Sequence, residues 1–385
     1  MDFRYTEEQR MLQDSVREMM ARDISPILKR NDAAKPLPKE EMRQVIRIAA
    51  DLGLTSLRIP ESHGGQGLSN LETGMVYEAM PAFMFFAISP QDTPALRICL
   101  AGTKEQADRY VPKLISGELL GASGISEPFA GSDPRAAKTY AREDGDHWVV
   151  TGHKMWVSGA YTCDLMLTSA NVGKDERGAP KLMWMVIDRN ESPFETTKIP
   201  TMGLKQGHTG EAMFDACRVP KANVLGNGHS APAILQQTWL SLRPTLGLVA
   251  VGTAQRALDA ALDYAGLREM FGRKIGGFQL VQELLADAAA AITSSRLLCY
   301  AALQAIDNDA PDKVHLSAMA KRFAIAQCTQ AVSKCMEVHG AMGISVELGL
   351  EEMYRDIRML PIPDGTNQIM TLVEGRELTG ISAIR

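Results

Sequence analysis

The spacing of apolar residues changes twice along this 385-residue chain, and that change limits the fold more than any single motif does. From Thr6 to about Ile115 the apolar residues recur at helical intervals. TEEQ at Thr6 and TKEQ at Thr103 read as capping boxes, in which a threonine hydroxyl and a glutamine three residues on bond each other's backbone N–H. The segment IRIAADLGL should end a helix near Gly53. Between about Leu120 and Leu225 the short runs HWVVTG, DLMLTSA and KLMWMVID are separated by EDGD, GKDERGAP and DRNESP, the alternation of strand and turn. From Ala231 onward, TAQRALDAALDYAGLREMF and KVHLSAMAKRFAIAQCTQAVSKCMEV return to long amphipathic helices. The spacing predicts a multidomain α+β chain: a helical domain at 1–118, a β domain at 119–228 and a helical bundle at 229–385.

Composition removes several classes of function. With 45% hydrophobic and 23% charged residues the chain can bury more than one core. A net charge of −5, with no dense block of Lys or Arg, gives no footprint for nucleic acid or an anionic membrane. The six cysteines are scattered without CxxC spacing, so reduced and mostly buried thiols are expected rather than a zinc site or a disulfide framework. The seven histidines show no metal-ligand spacing, no metal is expected, and His208 in LKQGHTGEAMF reads as a turn residue. No apolar run approaches the roughly 18 residues that span a bilayer. The N-terminus MDFRYTEEQR is polar and has no signal-peptide pattern, so a cytoplasmic location is expected.

Two segments do not read as ordinary core: GISEPFAGSDPRA, Gly124 to Ala136, and KMWVSG, Lys154 to Gly159. Together with IPESHGG near residue 60, REMFG at Arg268 and DGTNQIM near the end, they resemble the signature of the acyl-CoA dehydrogenase family over nearly the whole chain. The resemblance implies a helical N-terminal domain, a β-barrel-like middle domain and a C-terminal four-helix bundle. It also implies FAD. An isoalloxazine ring needs backbone amides and hydroxyls at its pyrimidine edge and apolar cover on its faces, and Ile125, Ser126, Trp156 and Ser158 supply both. By the same resemblance Arg268 faces the pyrophosphate, a contact suited to a guanidinium, with Phe271 and Gln279 beside it. Glu337 and Gly340 of EVHGA approach from a second subunit of a homo-oligomer, dimer or tetramer, and Thr366 and Gln368 complete the set. Ser132 corresponds to a pantetheine contact, while Arg243, Gly365 and Arg376 lie near the CoA or the active-site entrance.

The family's chemistry removes the proton α to a thioester as hydride leaves the β-carbon, and its base is commonly a Glu directly before the Gly of an EGT-type motif. Here that position is Asp364, in PIPDGTNQ. Asp retains the carboxylate but withdraws it by about 1.5 Å, and a displacement near 1 Å can cost about a hundredfold in rate. Some relatives carry the base just before the Arg of an Arg-Pro pair; Leu242 stands there, before Arg243 and Pro244, which makes Asp364 the leading candidate. The competing reading of Asp364 is the N-cap of the following helix. Glu127, beside Pro128, reads as a loop-holding acceptor. Asp92, in SPQDTPALRIC, reads as a solvated N-cap, with a carboxylate pair to Asp364 around a cyclic or polar acyl group as the alternative. PAFMFFAISPQD suggests a short or compact acyl pocket.

The resemblance implies an acyl-CoA substrate and electron-transfer flavoprotein as the acceptor. Two other functions remain open. One is a flavin oxidase similar to nitroalkane oxidase, which uses an Asp base supported by an Arg where this chain has Thr371. The other is a catalytically silent partner subunit of a hetero-oligomer.

Overall fold

The computed structural model describes residues 5–32, 34–174, 176, 178, 180–225 and 231–383. Helix α1 (Glu7–Met19) runs through a π-helical turn (Met20–Ile24) into α2 (Ser25–Lys29), and α3 (Lys39–Asp51), α4 (Asn70–Ala79), α5 (Ala82–Ala101) and α6 (Lys104–Ile115) complete the first helical region. Its starts are encoded locally. Thr6 with Gln9, Ser69 with Glu72 and Thr103 with Gln106 each form a reciprocal capping box, and Gly53, in the left-handed region with φ 75°, follows the end of α3.

Seven strands follow: β1 (Gly121–Gly124), β2 (Tyr140–Asp144), β3 (His147–Val157), β4 (Leu165–Lys174), β5 (Pro180–Asp188), β6 (Glu195–Lys198) and β7 (Gly210–Pro220). They form one sheet in the order β1-β4-β2-β3-β7-β6, with β5 also paired to β4. β1 and β2 run parallel to β4, and the other pairings are antiparallel. Alternate side chains of β4 and β5, among them Leu165, Leu167, Trp184 and Val186, pack on α5, α6 and the start of α7, which joins the sheet to the helices.

The last region contains α7 (Ala231–Leu267), a short hairpin of β8 (Glu269–Met270) and β9 (Arg273–Lys274), then α8 (Gln279–Asp307), α9 (Lys313–His339), α10 (Leu350–Met359) and α11 (Asn367–Thr379). Pro244 sits inside the 37-residue α7. A proline cannot donate to the carbonyl four residues back, and that carbonyl, Leu240 O, instead accepts from Ser317 Oγ of α9 at 2.6 Å. The helix therefore continues and is tied to its neighbour at the same point. At Gly252 a Cβ would lie 2.1 Å from the Glu78 carbonyl, so only glycine permits α7 to approach α4 this closely.

The helical, β and helical order expected from the spacing is the one observed. The expected boundary at 118/119 lies in the connection from α6 to β1, while that at 228/229 lies outside the described residues. One expectation is corrected. Helix α8 is long and apolar enough by length and composition to cross a bilayer, with mean hydropathy 1.2, because its many alanines add up without forming a visible apolar block. In the fold one face of it packs on α7 and α9, with Ala288, Ile292, Cys299, Ala302 and Leu303 buried. Five of the six cysteines are buried and all six are free thiols, as expected.

Candidate active site

The turn between α10 and α11 places Asp364 and Gly365 in the left-handed region, with φ 54° and 92°. Asp tolerates this conformation better than most residues, and at Gly365 the positive φ favours glycine, while a Cβ there would also displace the terminal methyl of Met370, 2.7 Å away. The N-cap of α11 is Thr366, whose hydroxyl accepts from the Ile369 N–H at 3.3 Å. Asp364 is therefore not the cap, and its half-buried carboxylate has no hydrogen bond or ion pair among the described residues. Its backbone is held from two sides. Arg243 Nε donates to the Asp364 carbonyl at 3.2 Å, and Lys321 Nζ donates to the carbonyls of Pro363 and Gly365.

Asp92 is not a solvated cap. It lies inside α5, which continues through Pro90 and Pro94, and it is fully buried in an ion pair with Arg58, whose Nε donates to Asp92 Oδ2 at 3.1 Å and whose Nη2 binds the same oxygen. Burial works against the Arg58 charge, yet Asp92, Tyr77 and Asp364 outweigh it and hold its pKa above the ordinary value. Burial pushes Arg97 down to about 10, with Asp364 opposing. Burial likewise lowers Arg243, against Asp364, and pushes Lys321 down to about 8, against Asp364 and with help from Arg243. Arg58, Arg97, Arg243 and Lys321 thus share the field of Asp364. Four cations face two carboxylates, Asp92 and Asp364, which leaves an excess of two positive charges. Three fully buried polar atoms in this cluster, Tyr77 Oη, Asp92 Oδ1 and Arg97 Nη1, have no protein partner. Leu242, at the alternative base position, is buried and apolar.

On the sheet, the residues expected to hold the flavin ring are brought together. Glu127 accepts from Lys138 N at 2.6 Å, Thr139 N at 3.0 Å and Lys154 Nζ at 2.8 Å, the loop-holding role expected of it. Lys154 also reaches the Ile125 carbonyl at 3.4 Å, and Met155 N donates to the Ser126 carbonyl at 2.9 Å. These bonds fasten Ile125 and Ser126 against the segment that carries Trp156 and Ser158. Between Lys154 and Val157 the register of β3 against β7 shifts, and within this irregularity Trp156 has φ 62° and is 58% exposed. A large aromatic held outward in a left-handed conformation is unfavourable unless it has something to cover. With two hydroxyls beside it, the strip fits a flat ring system that has one polar edge, and so fits FAD.

The residues expected at the other end of FAD form a separate group. Arg268 follows the last residue of α7 and is exposed, its Nη2 3.6 Å from Met270 Sδ. Phe271, at the hairpin tip with φ 51°, is 92% exposed, and Gln279 opens α8, also exposed. Glu337 and Gly340 close α9 at the same end of the bundle, where His339 stacks on Tyr264 of α7 with centroids 4.5 Å apart. Gln368 is exposed in the first turn of α11, Arg376 is exposed and paired with Glu377 at 2.8 Å, and Ser132 is an exposed loop residue. His208 has φ 47° and bonds the carbonyls of Gln206 and Leu37 at 2.9 and 2.8 Å, a turn role as expected. Sequence reading missed Arg58, Arg97, Lys154 and Lys321. The one signal for the lysines was a cation in the apolar setting of a strand or helix core.

Comparison with known proteins identifies the family and the fold. Models of the acyl-CoA dehydrogenase N-terminal, middle and C-terminal domains match residues 6–118, 122–217 and 233–379. The chain is 32% identical over 387 residues to a protein named probable acyl-CoA dehydrogenase of Bacillus subtilis, covering 98% of this chain and 100% of the relative. It is 32% identical over 391 residues to glutaryl-CoA dehydrogenase of Desulfococcus multivorans, covering 99% of both. A solved glutaryl-CoA dehydrogenase in complex with glutaryl-CoA superposes with a TM-score of 0.91 at 31% identity, over 100% of this chain and 98% of that one. The same fold occurs in the FAD complex of PigA, at 23% identity and a TM-score of 0.90, over 98% and 99% of the two chains.

Proposed function

Since the chain belongs to the acyl-CoA dehydrogenase family, and with it to the oxidoreductases acting on CH–CH bonds, we propose that it is an FAD-dependent dehydrogenase of an acyl-CoA thioester with Asp364 as the base. The observation that carries this reading is the free carboxylate of Asp364, presented on a clamped left-handed turn among four cations. Ile125, Ser126, Trp156 and Ser158 would hold the ring of FAD, and Arg268, Phe271 and Gln279 its far end. When bound, FAD supplies the acceptor for the hydride that leaves the β-carbon. Asp364 takes the α-proton onto a carboxylate oxygen, the C–H electron pair moves into the new α,β double bond, and the product is a 2-enoyl-CoA. The buried positive excess favours the negative charge that develops on the thioester as the proton leaves. Electron-transfer flavoprotein is the acceptor in this reading.

The same charge excess speaks for an acyl group that carries a carboxylate. Each buried polar atom left unpaired costs about 1–3 kcal/mol, and a plain hydrocarbon tail would satisfy neither of the two unpaired donors, Tyr77 Oη and Arg97 Nη1, from which an acyl carboxylate would accept. Because Arg268, Phe271 and Gln279 lie exposed on the bundle and apart from the sheet strip, a second copy of the chain, bringing its own Glu337 and Gly340, would complete the cofactor site.

Anaerobic titration of the purified flavoprotein with glutaryl-CoA, pentanoyl-CoA, branched and cyclic acyl-CoA thioesters tests the reading. Bleaching of the flavin is expected, faster with glutaryl-CoA than with pentanoyl-CoA. No bleaching by any thioester from a chain that keeps FAD would overturn it. Stoichiometric peroxide under air would make the protein an oxidase, and a colourless chain would make it a silent subunit. Light scattering should give a dimer or tetramer.

A further inference from the structure

Three successive backbone carbonyls, those of Pro363, Asp364 and Gly365, are all taken by side-chain cations, two of them by Lys321 and one by Arg243. Lys321 lies in the third turn of α9 and is fully buried. A buried lysine is ordinarily compensated by a carboxylate, because an ammonium removed from water is costly unless paired. Lys321 has no ion pair among the described residues, although the Asp364 carboxylate is near enough to oppose the loss of its proton. Its ammonium reaches past that carboxylate to the carbonyls on either side of it. The result is a turn fixed at both shoulders whose carboxylate stays free. A salt bridge in the same place would occupy the group that must accept the proton.

We propose that Lys321 is a positioning residue for the dehydrogenation: by holding the carbonyls of Pro363 and Gly365 it fixes the left-handed turn in the one orientation that presents the Asp364 carboxylate to the substrate α-carbon. The inference rests on the reading of Asp364 as the base. A lysine that only stabilised the fold would lower melting temperature and cofactor retention together, with no selective effect on the proton-transfer step. A positioning lysine acts on that step at unchanged substrate affinity, since a misplacement near 1 Å costs about a hundredfold.

The test uses the FAD-loaded protein as wild type, Lys321→Met, Lys321→Gln, Asp364→Asn and the Asp364→Asn/Lys321→Met double variant. Two quantities are read. One is the limiting rate of flavin reduction and its half-saturating substrate concentration. The other is deuterium wash-in at the α-carbon of a 3-thia-acyl-CoA, from which no β-hydride can leave. In Lys321→Met, wash-in and limiting reduction should both fall at least thirtyfold, with half-saturation within threefold of wild type. Lys321→Gln, which keeps two N–H donors on a shorter arm, should fall in between, and the double variant should be no slower than Asp364→Asn. Wash-in within threefold of wild type in Lys321→Met, while Asp364→Asn is inactive, overturns the positioning role alone. Wash-in at the native rate in Asp364→Asn overturns the base assignment and the inference with it. If neither Lys321 variant folds with FAD bound, Lys321 serves folding and the inference is likewise overturned.

Discussion

Two buried lysines in this chain face carboxylates, and they are used in opposite ways. On the sheet, Lys154 donates directly to Glu127 at 2.8 Å, and two backbone N–H groups donate to the same carboxylate. On the bundle, Lys321 bypasses Asp364 and binds the carbonyls that flank it. A carboxylate engaged by three donors is held in its charged form and cannot easily take up a proton. A carboxylate whose backbone is clamped but whose oxygens are free can. The first arrangement fastens the loop bearing Ile125 and Ser126 to the segment bearing Trp156. The second leaves the proposed base free. A buried lysine near a carboxylate is common to the two places, and the difference lies in which atoms the lysine reaches.

This contrast can be broken by removing either side of it. Glu127→Ala leaves the fully buried Lys154 without its carboxylate, which should cost about 3–5 kcal/mol in urea or thermal unfolding; a change below about 1 kcal/mol would mean the pair holds nothing. Lys321, pushed down to about 8 from an unfolded value of about 10.4, gives a smaller, pH-dependent effect. Between those values the folded chain binds fewer protons than the unfolded one, so its stability rises with pH across that window, by up to about 3 kcal/mol in all. Equilibrium unfolding of wild type against Lys321→Met from pH 7 to 10.5 should show this rise only in wild type.

Glu127 should act at the opposite end of the scale. Burial works against its charge, but Lys154 and the hydrogen bonds from Thr139 and Lys138 outweigh burial and hold its carboxyl below the usual range. Its stabilising contribution is present above about pH 4.3 and is lost as pH falls through the folded value. Unfolding curves of wild type and Glu127→Gln should therefore converge on acidification below about pH 4, with the smallest difference at the lowest pH. The exposed Arg218–Asp144 pair between β7 and β2 serves as the control. Arg218→Ala should change stability by about 1 kcal/mol or less.

The sequence carried the change of periodicity, the capping boxes at Thr6 and Thr103 and the loop-holding role of Glu127, because each depends on residues close together in the chain. It misplaced Asp92. In S-P-Q-D-T-P an Asp between prolines has the look of a helix start, but α5 runs through both prolines, and the partner that explains Asp92, Arg58, lies 34 residues away on another segment. Lys321 was invisible for a related reason. A lysine in a long amphipathic helix ordinarily marks its wet face, and only the arrival of residues 363–365 from beyond α10 makes its position a polar one. The alanine-rich α8 shows the same gap, since composition does not reveal which neighbours cover a helix. The two groups of residues expected at the cofactor were legible as motifs, while their separation within one chain was not, because motif order carries no distances.

The central claim, that Asp364 is the base, is tested most directly by rapid-mixing of FAD-loaded Asp364→Asn with the thioester that best bleaches wild type. The account predicts that the variant stays yellow and folded, binds the thioester, and reduces its flavin about 10²–10⁴-fold more slowly, the range a positioned general base contributes. Reduction at the wild-type rate would contradict it and move the proton-accepting role to another carboxylate, with Asp92 the nearest in the same charged cluster.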